Sequence, residues 1–178
     1  MYRNSKACVC VCIISMTVLY CIAAPAAVRY GFMPDLDITI EKDDEGCTRL
    51  GLLVNGERKD EYRLCPATPD GGVKTLDTFT VSGTPYVLVL FDYGEFGTRG
   101  NHQQVDLFLF KIQKGAFVLL KQYTLIRIDF ALGMYYQYKK LGCTCNHNDK
   151  SIEIQIYDEC MNIVDSITIT EEKENVRN

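Results

Sequence analysis

Residues 86–91 read YVLVLF, six apolar side chains with no polar interruption. The run is too short for a typical helix, so it reads as a strand buried on both faces. Downstream, residues 105–112 (VDLFLFKI) give a second apolar strand, and Lys114-Gly115 reads as a tight turn into 117–120 and 123–130. In the last of these, Leu125, Arg127 and Asp129 are expected on one face, with Ile126, Ile128 and Phe130 on the other. Residues 134–138 form a tyrosine-rich strand, and 152–157 with 163–169 form a closing hairpin across 158–162.

Upstream, residues 36–40 (LDITI) alternate apolar and polar, the pattern of a half-buried strand. Asn55-Gly56 marks a hairpin turn. The stretch PATPDGG at 66–72 excludes regular structure, and 75–81 returns to extended backbone. About ten strands follow one another, without a helical period between them. An all-β chain is expected, folded as a single antiparallel β-sandwich or barrel of about ten strands. No repeat of fixed period suggests a propeller.

The N-terminus is of a different kind. Arg3 and Lys6 precede an uncharged run that ends only at Arg29, and Ala24-Pro25-Ala26 supplies a small-residue cleavage pattern. This reads as a signal peptide over 1–26, ahead of one exported domain over 27–170 and a polar, frayed tail over 171–178. A retained anchor is the second reading, because the run is just long enough to span a bilayer. A lipoprotein ranks third, since Leu19-Tyr20 before Cys21 is a poor acylation context. All three readings place the domain in the periplasm or outside the cell. The whole chain carries a net charge of −4, and all 23 acidic residues lie beyond position 26. So acidic a domain has no electrostatic attraction to nucleic acid, whereas it would steer a basic protein toward itself.

Cys47, Cys65, Cys143, Cys145 and Cys160 remain after the signal segment. In an oxidising compartment their default chemistry is disulfide formation. A three-residue loop over 55–57 would set Val54 opposite Arg58 and Cys47 opposite Cys65, close enough to bridge; a two-residue loop would shift the pairing by one. Cys143, Cys145 and His147 share one face of an extended chain. A turn over 146–150 sets Cys145 near Ser151 and carries Cys160 far from it. Another register would make Cys160 with Cys143 or Cys145 a second bridge. Three crowded ligands without a fourth do not match a structural zinc site, so disulfide chemistry is preferred and no metal is assigned.

Only His102, His147, Ser82, Ser151 and Ser166 supply imidazoles and serine hydroxyls beyond the signal segment, and no nucleophile motif surrounds them. A Cys145–His147 dyad would need an activated thiolate that disulfide formation disfavours. No catalytic residue, enzyme activity or cofactor is therefore expected. The distinctive feature is DYGEFGTRGNHQQ at 92–104, far longer than a hairpin loop requires. Read as a loop projected from a rigid sheet, it offers Asp92, Tyr93, Glu95, Phe96, Arg99 and His102 as binding residues. Calcium oxygens from Asp92, Glu95 and Asn101 match no EF-hand spacing. The function expected is an exported binding protein that neutralises a protein partner, in the manner of a periplasmic immunity protein or inhibitor, against a basic secreted toxin or enzyme. The alternative is a surface domain recognising carbohydrate or envelope material. Contact with a membrane is expected only through the N-terminal segment, if uncleaved.

Overall fold

The structure is a computed structural model describing residues 28–96, 102–131 and 134–170. The proposed signal peptide, the polar tail and Arg99 lie outside the described residues. The described residues form strands joined by turns, with no helix long and apolar enough to cross a membrane.

Twelve strands form three antiparallel sheets. The first contains β1 (Val28–Met33), β2 (Leu36–Lys42), β3 (Thr48–Val54) and β4 (Glu57–Leu64), in that order. The second contains β5 (Gly72–Val81), β6 (Thr84–Phe96), β7 (His102–Gln113), β8 (Ala116–Ala131) and β9 (Met134–Lys140). The third contains β10 (Gly142–Asn148), β11 (Ser151–Tyr157) and β12 (Ile163–Thr170). The all-β class is as expected. The arrangement differs from a single sandwich or barrel of about ten strands, because the sheets stack in three layers around two cores.

The run at 86–91 explains the third layer. Val87, Val89 and Phe91 join Phe108 and Phe110 of β7 and meet Ile38, Leu50, Leu52 and Leu64 of the first sheet. Leu88 and Tyr86 turn the other way, joining Leu107, Leu109 and Phe79 against Ile152, Ile154 and Ile156 of β11 in a second, lower core. Burying a large apolar side chain contributes roughly 1.5–3 kcal/mol. A two-layer sandwich would leave one whole face of β6 and β7 in water. Strands apolar on both faces therefore require a cover on each. The outer face of β11 is correspondingly polar, with Ser151, Glu153 and Gln155 alternating against the buried isoleucines.

The Asn55-Gly56 hairpin combines both registers considered above. Asn55 and Gly56 have φ of 53° and 79°, so Val54 pairs with Glu57 across a two-residue turn. A bulge then leaves Lys59 unpaired between Arg58 and Asp60, and the register returns to Thr48 opposite Leu64. The bulge thus cancels the one-residue shift and brings Cys47 to Cys65. They are bridged, with Cα atoms 4.2 Å apart.

Three expectations change, and one strand is added: β1, outside the strands expected from sequence, joins the first sheet ahead of the strand at 36–40. The turn expected over 146–150 narrows to 149–150, so the CTCNH segment is itself strand β10 and Cys145 lies opposite Ile154 instead of near Ser151. A bulge at Leu125 breaks the two-face alternation in β8, and Leu125 and Ile126 both pack on the lower core. The stretch at 92–104 is mostly strand: Asp92 pairs with Val105, Glu95 with Gln103 and Phe96 with His102.

Candidate functional site

β6, β7, β8 and β9 continue past both cores as a four-stranded ribbon. Tyr93 and Ile126 are the last described side chains of β6 and β8 that pack on a core cluster, and no described side chain of β9 does so. Beyond them the ribbon carries Glu95 and His102 together with Arg127 and Asp129. His102 faces Asp129 across β7 and β8, with Nδ1 2.7 Å from Oδ1. Arg127 Nε donates to the other Asp129 oxygen at 3.2 Å. The His102 hydrogen bond, aided by Arg127, holds the Asp129 carboxyl below the usual range against the opposing effect of burial. The result is a fixed imidazole–carboxylate–guanidinium row.

The root of the ribbon is a buried polar knot. Asp106 takes the core-facing position opposite Phe91 and has no solvent exposure. Its oxygens accept from Gln104 Nε2 at 3.1 Å, from Gln122 Nε2 at 2.7 Å and from the Tyr93 hydroxyl at 3.5 Å. A buried carboxylate without such donors would cost several kcal/mol, so the knot forces β6, β7 and β8 into one alignment. Burial, followed by the Asp106 charge, pushes the Tyr93 phenol up to about 12. The loop at 66–72 closes over the same place. Ala67 N–H donates to the Tyr93 carbonyl at 2.8 Å, and Gly94 sits under Thr68 with φ of 81°. A Cβ on Gly94 would approach Thr68 Oγ1 to 2.0 Å, so only glycine fits.

The residues singled out from sequence therefore separate. Glu95 is exposed on the ribbon and His102 half-buried on it. Asp92 stands at its base, where it accepts from Gly94 N–H and lies 3.3 Å from Lys74 Nζ. Tyr93 faces inward and meets the Phe91 ring edge-on at 5.0 Å, so it supports the ribbon instead of presenting itself as an anchor. The backbone sets Phe96 across from His102. Sequence reasoning missed Asp106, Gln122, Arg127 and Asp129 as partners. The one available signal was Asp106 itself, a carboxylate beside the apolar run of β7.

Cys143, Cys145 and His147 do share a face, as their spacing requires, and that face meets Ile156, Ile154 and Ile152. Both thiols pack on the lower core, and burial pushes both up. His147 stacks on Phe79, with ring centroids 5.2 Å apart. Cys143, Cys145 and Cys160 are unbridged. Among the described residues, no group of three His, Cys, Asp or Glu side chains is placed to hold a metal ion. A separate open cleft of about 440 Å³ runs between β1 and β5, lined by Val28, Tyr30, Lys42 and Thr48 on one side and Gly72 to Leu76 on the other. No known protein family matches the chain, and neither the curated proteins nor the solved structures hold a match to it.

Proposed function

We propose that this is an exported, non-enzymatic binding protein that blocks a protein partner, in the manner of a periplasmic immunity protein or inhibitor. The observation that carries the reading is the ribbon, which extends beyond both cores and displays charged and imidazole side chains already fixed in place. Pre-organised display favours tight protein recognition because little side-chain freedom is lost on binding. The acidic balance of the chain suits a basic partner such as a secreted toxin or enzyme. The N-terminal segment read as a signal peptide and the Cys47–Cys65 bridge support export to an oxidising compartment. One observation favours carbohydrate or envelope material instead: Tyr138 on β9 is 52% exposed, and an aromatic ring there offers a face for a sugar.

The test is recovery of a partner from the native envelope with wild type, His102→Ala and Glu95→Arg, each checked for unchanged thermal stability. The reading expects a stoichiometric protein partner, with affinity falling ~30-fold or more if His102 is a hot spot. Charge reversal at Glu95 should mainly slow association with a basic partner. Retained affinity in both folded variants would remove the ribbon from the site. Retention on a glycan surface, with no protein recovered, would favour the second reading.

A further inference from the structure

The cleft between β1 and β5 opens at the margin of the core shared by the first and second sheets. Its volume of about 440 Å³ falls within the range of small-molecule sites. Ile40, Val73 and Leu76 pack on that core and also line the cleft. Val28 and Tyr30 of β1 extend the apolar wall, set opposite Ile40 and Ile38 in the sheet, and keep 52% and 38% of their surface exposed.

One cross-strand pair forms the polar end. Lys42 of β2 faces Thr48 of β3, and by strand alternation both stand on the side of Ile38, Ile40 and Leu50. Thr48 is only 2% exposed, and among the described residues its hydroxyl has no hydrogen-bond partner. That hydroxyl opens onto the cleft: Oγ1 stands 3.9 Å from where a Cβ on Gly72 would be, so the bare Gly72 leaves room in front of it. Leaving a buried hydroxyl unpaired is costly, and an acceptor placed there would remove the cost. Lys42 Nζ donates to the Pro69 and Gly71 carbonyls at 3.2 and 3.5 Å, and among the described residues no carboxylate pairs with it. The other charges along the cleft are placed differently. Glu41 is held by Arg58, and Lys74 lies 3.3 Å from Asp92. Asp70 is exposed at the mouth, on the loop at 66–72.

We infer that the cleft binds a single-chain amphipathic carboxylate, of which a medium-chain fatty acid is the simplest form. The chain lies against Val28, Tyr30, Ile40, Val73 and Leu76. The carboxylate accepts from the Thr48 hydroxyl and from Lys42 Nζ, whose charge it neutralises. An apolar wall ending in an uncompensated ammonium and an unpaired hydroxyl fits an anionic head better than a neutral or cationic one. Glu95, His102, Arg127 and Asp129 of the ribbon do not line the cleft, so the inference stands apart from the proposed partner site.

The test is calorimetric titration of the folded protein with octanoate, decanoate and 1-decanol. Decanoate should bind at one site per chain, about fourfold tighter for each methylene beyond octanoate. It should also bind at least ~10-fold tighter than 1-decanol, as expected of hydrogen bonds to a charged group. Lys42→Gln and Thr48→Val should each weaken decanoate by ~10-fold, and Lys42→Gln should leave 1-decanol unchanged. Asp70→Asn should tighten decanoate by removing a like charge at the mouth, a gain that no loss of structure would produce. Amide shifts on binding should centre on residues 28–30 and 72–76. No saturable binding of decanoate, equal affinity for 1-decanol, indifference to both Lys42→Gln and Asp70→Asn, or shifts centred elsewhere would each overturn the inference.

Discussion

The Cys47–Cys65 bridge offers the sharpest energetic test of the fold. It closes a loop of 18 residues in sequence separation, at the one place where the Lys59 bulge has restored facing register. In the chain-entropy view, removing a cross-link of that span should cost about 3 kcal/mol. For a domain of this size, that corresponds to a fall in Tm of roughly 6–12 °C. Double replacement Cys47→Ala and Cys65→Ala is the right perturbation, because Cys47 is only 5% exposed and a serine there would add an unpaired hydroxyl. Urea unfolding of wild type and variant, each with and without reductant, measures the difference directly. Reduced wild type should match the variant, and the variant should ignore reductant because Cys143, Cys145 and Cys160 are unbridged. Deleting Lys59 should preserve the bridge, since the remaining residues then pair without a bulge in the same register. A loss below ~1 kcal/mol would mean that the unfolded chain already holds this hairpin together, and the entropic reasoning would fail. Scrambled bridges after Lys59 deletion would refute the register argument itself.

Two further outcomes follow from the side-chain environments. Alkylation of the native protein, read by mass spectrometry, should modify Cys160 first and Cys143 and Cys145 much later, because Cys160 is exposed whereas burial raises the other two thiols; equal rates would contradict the docking of β10 on the lower core. Stability should also fall at both ends of the pH range. Asp129 is lowered in the folded state, so its contribution is present above ~4, the unfolded carboxyl value, and is lost as pH drops through the folded value. Tyr93 is raised, so its contribution is present below ~10 and is lost as pH climbs toward about 12. Asp129→Asn should flatten the acid limb and Tyr93→Phe the alkaline one, in chemical unfolding followed at fixed pH values.

Strand identity was largely legible because it rests on local pattern. The six apolar residues at 86–91 could hardly be anything but a strand with both faces covered. The number of layers was legible in the same residues, since two covered faces demand two covers, but the alternating strands around them suggested a simpler sandwich. Bulges were not legible. Lys59, Val164 and Leu125 look like ordinary strand residues, yet each is a bulge, and for Lys59 a distant constraint accounts for it. For Lys59 that constraint is a bridge 18 residues in span. The candidate site suffered similarly. Glycines and charges at 92–104 looked like a loop, because no local signal says that His102 will find Asp129 twenty-seven residues later in sequence.

The mismatch in strand length explains why a ribbon exists at all. β6, β7 and β8 contain 13, 12 and 16 residues, whereas the covering strands β2, β3, β10 and β11 contain 7 each. At ~3.3 Å per residue, the longest middle strand spans roughly 50 Å and its covers about half of that. The excess is not shed as an irregular loop, which would cost less ordering entropy. It is kept in register, pinned at its root by Asp106 and by the loop at 66–72, and its composition changes from apolar to charged where the covers stop. Stability alone does not account for this, because the ribbon's described side chains add nothing to either core. Ordering this many residues in water needs some other return. The binding surface proposed above would supply it, because the entropy would then be spent during folding and not again at each encounter with a partner.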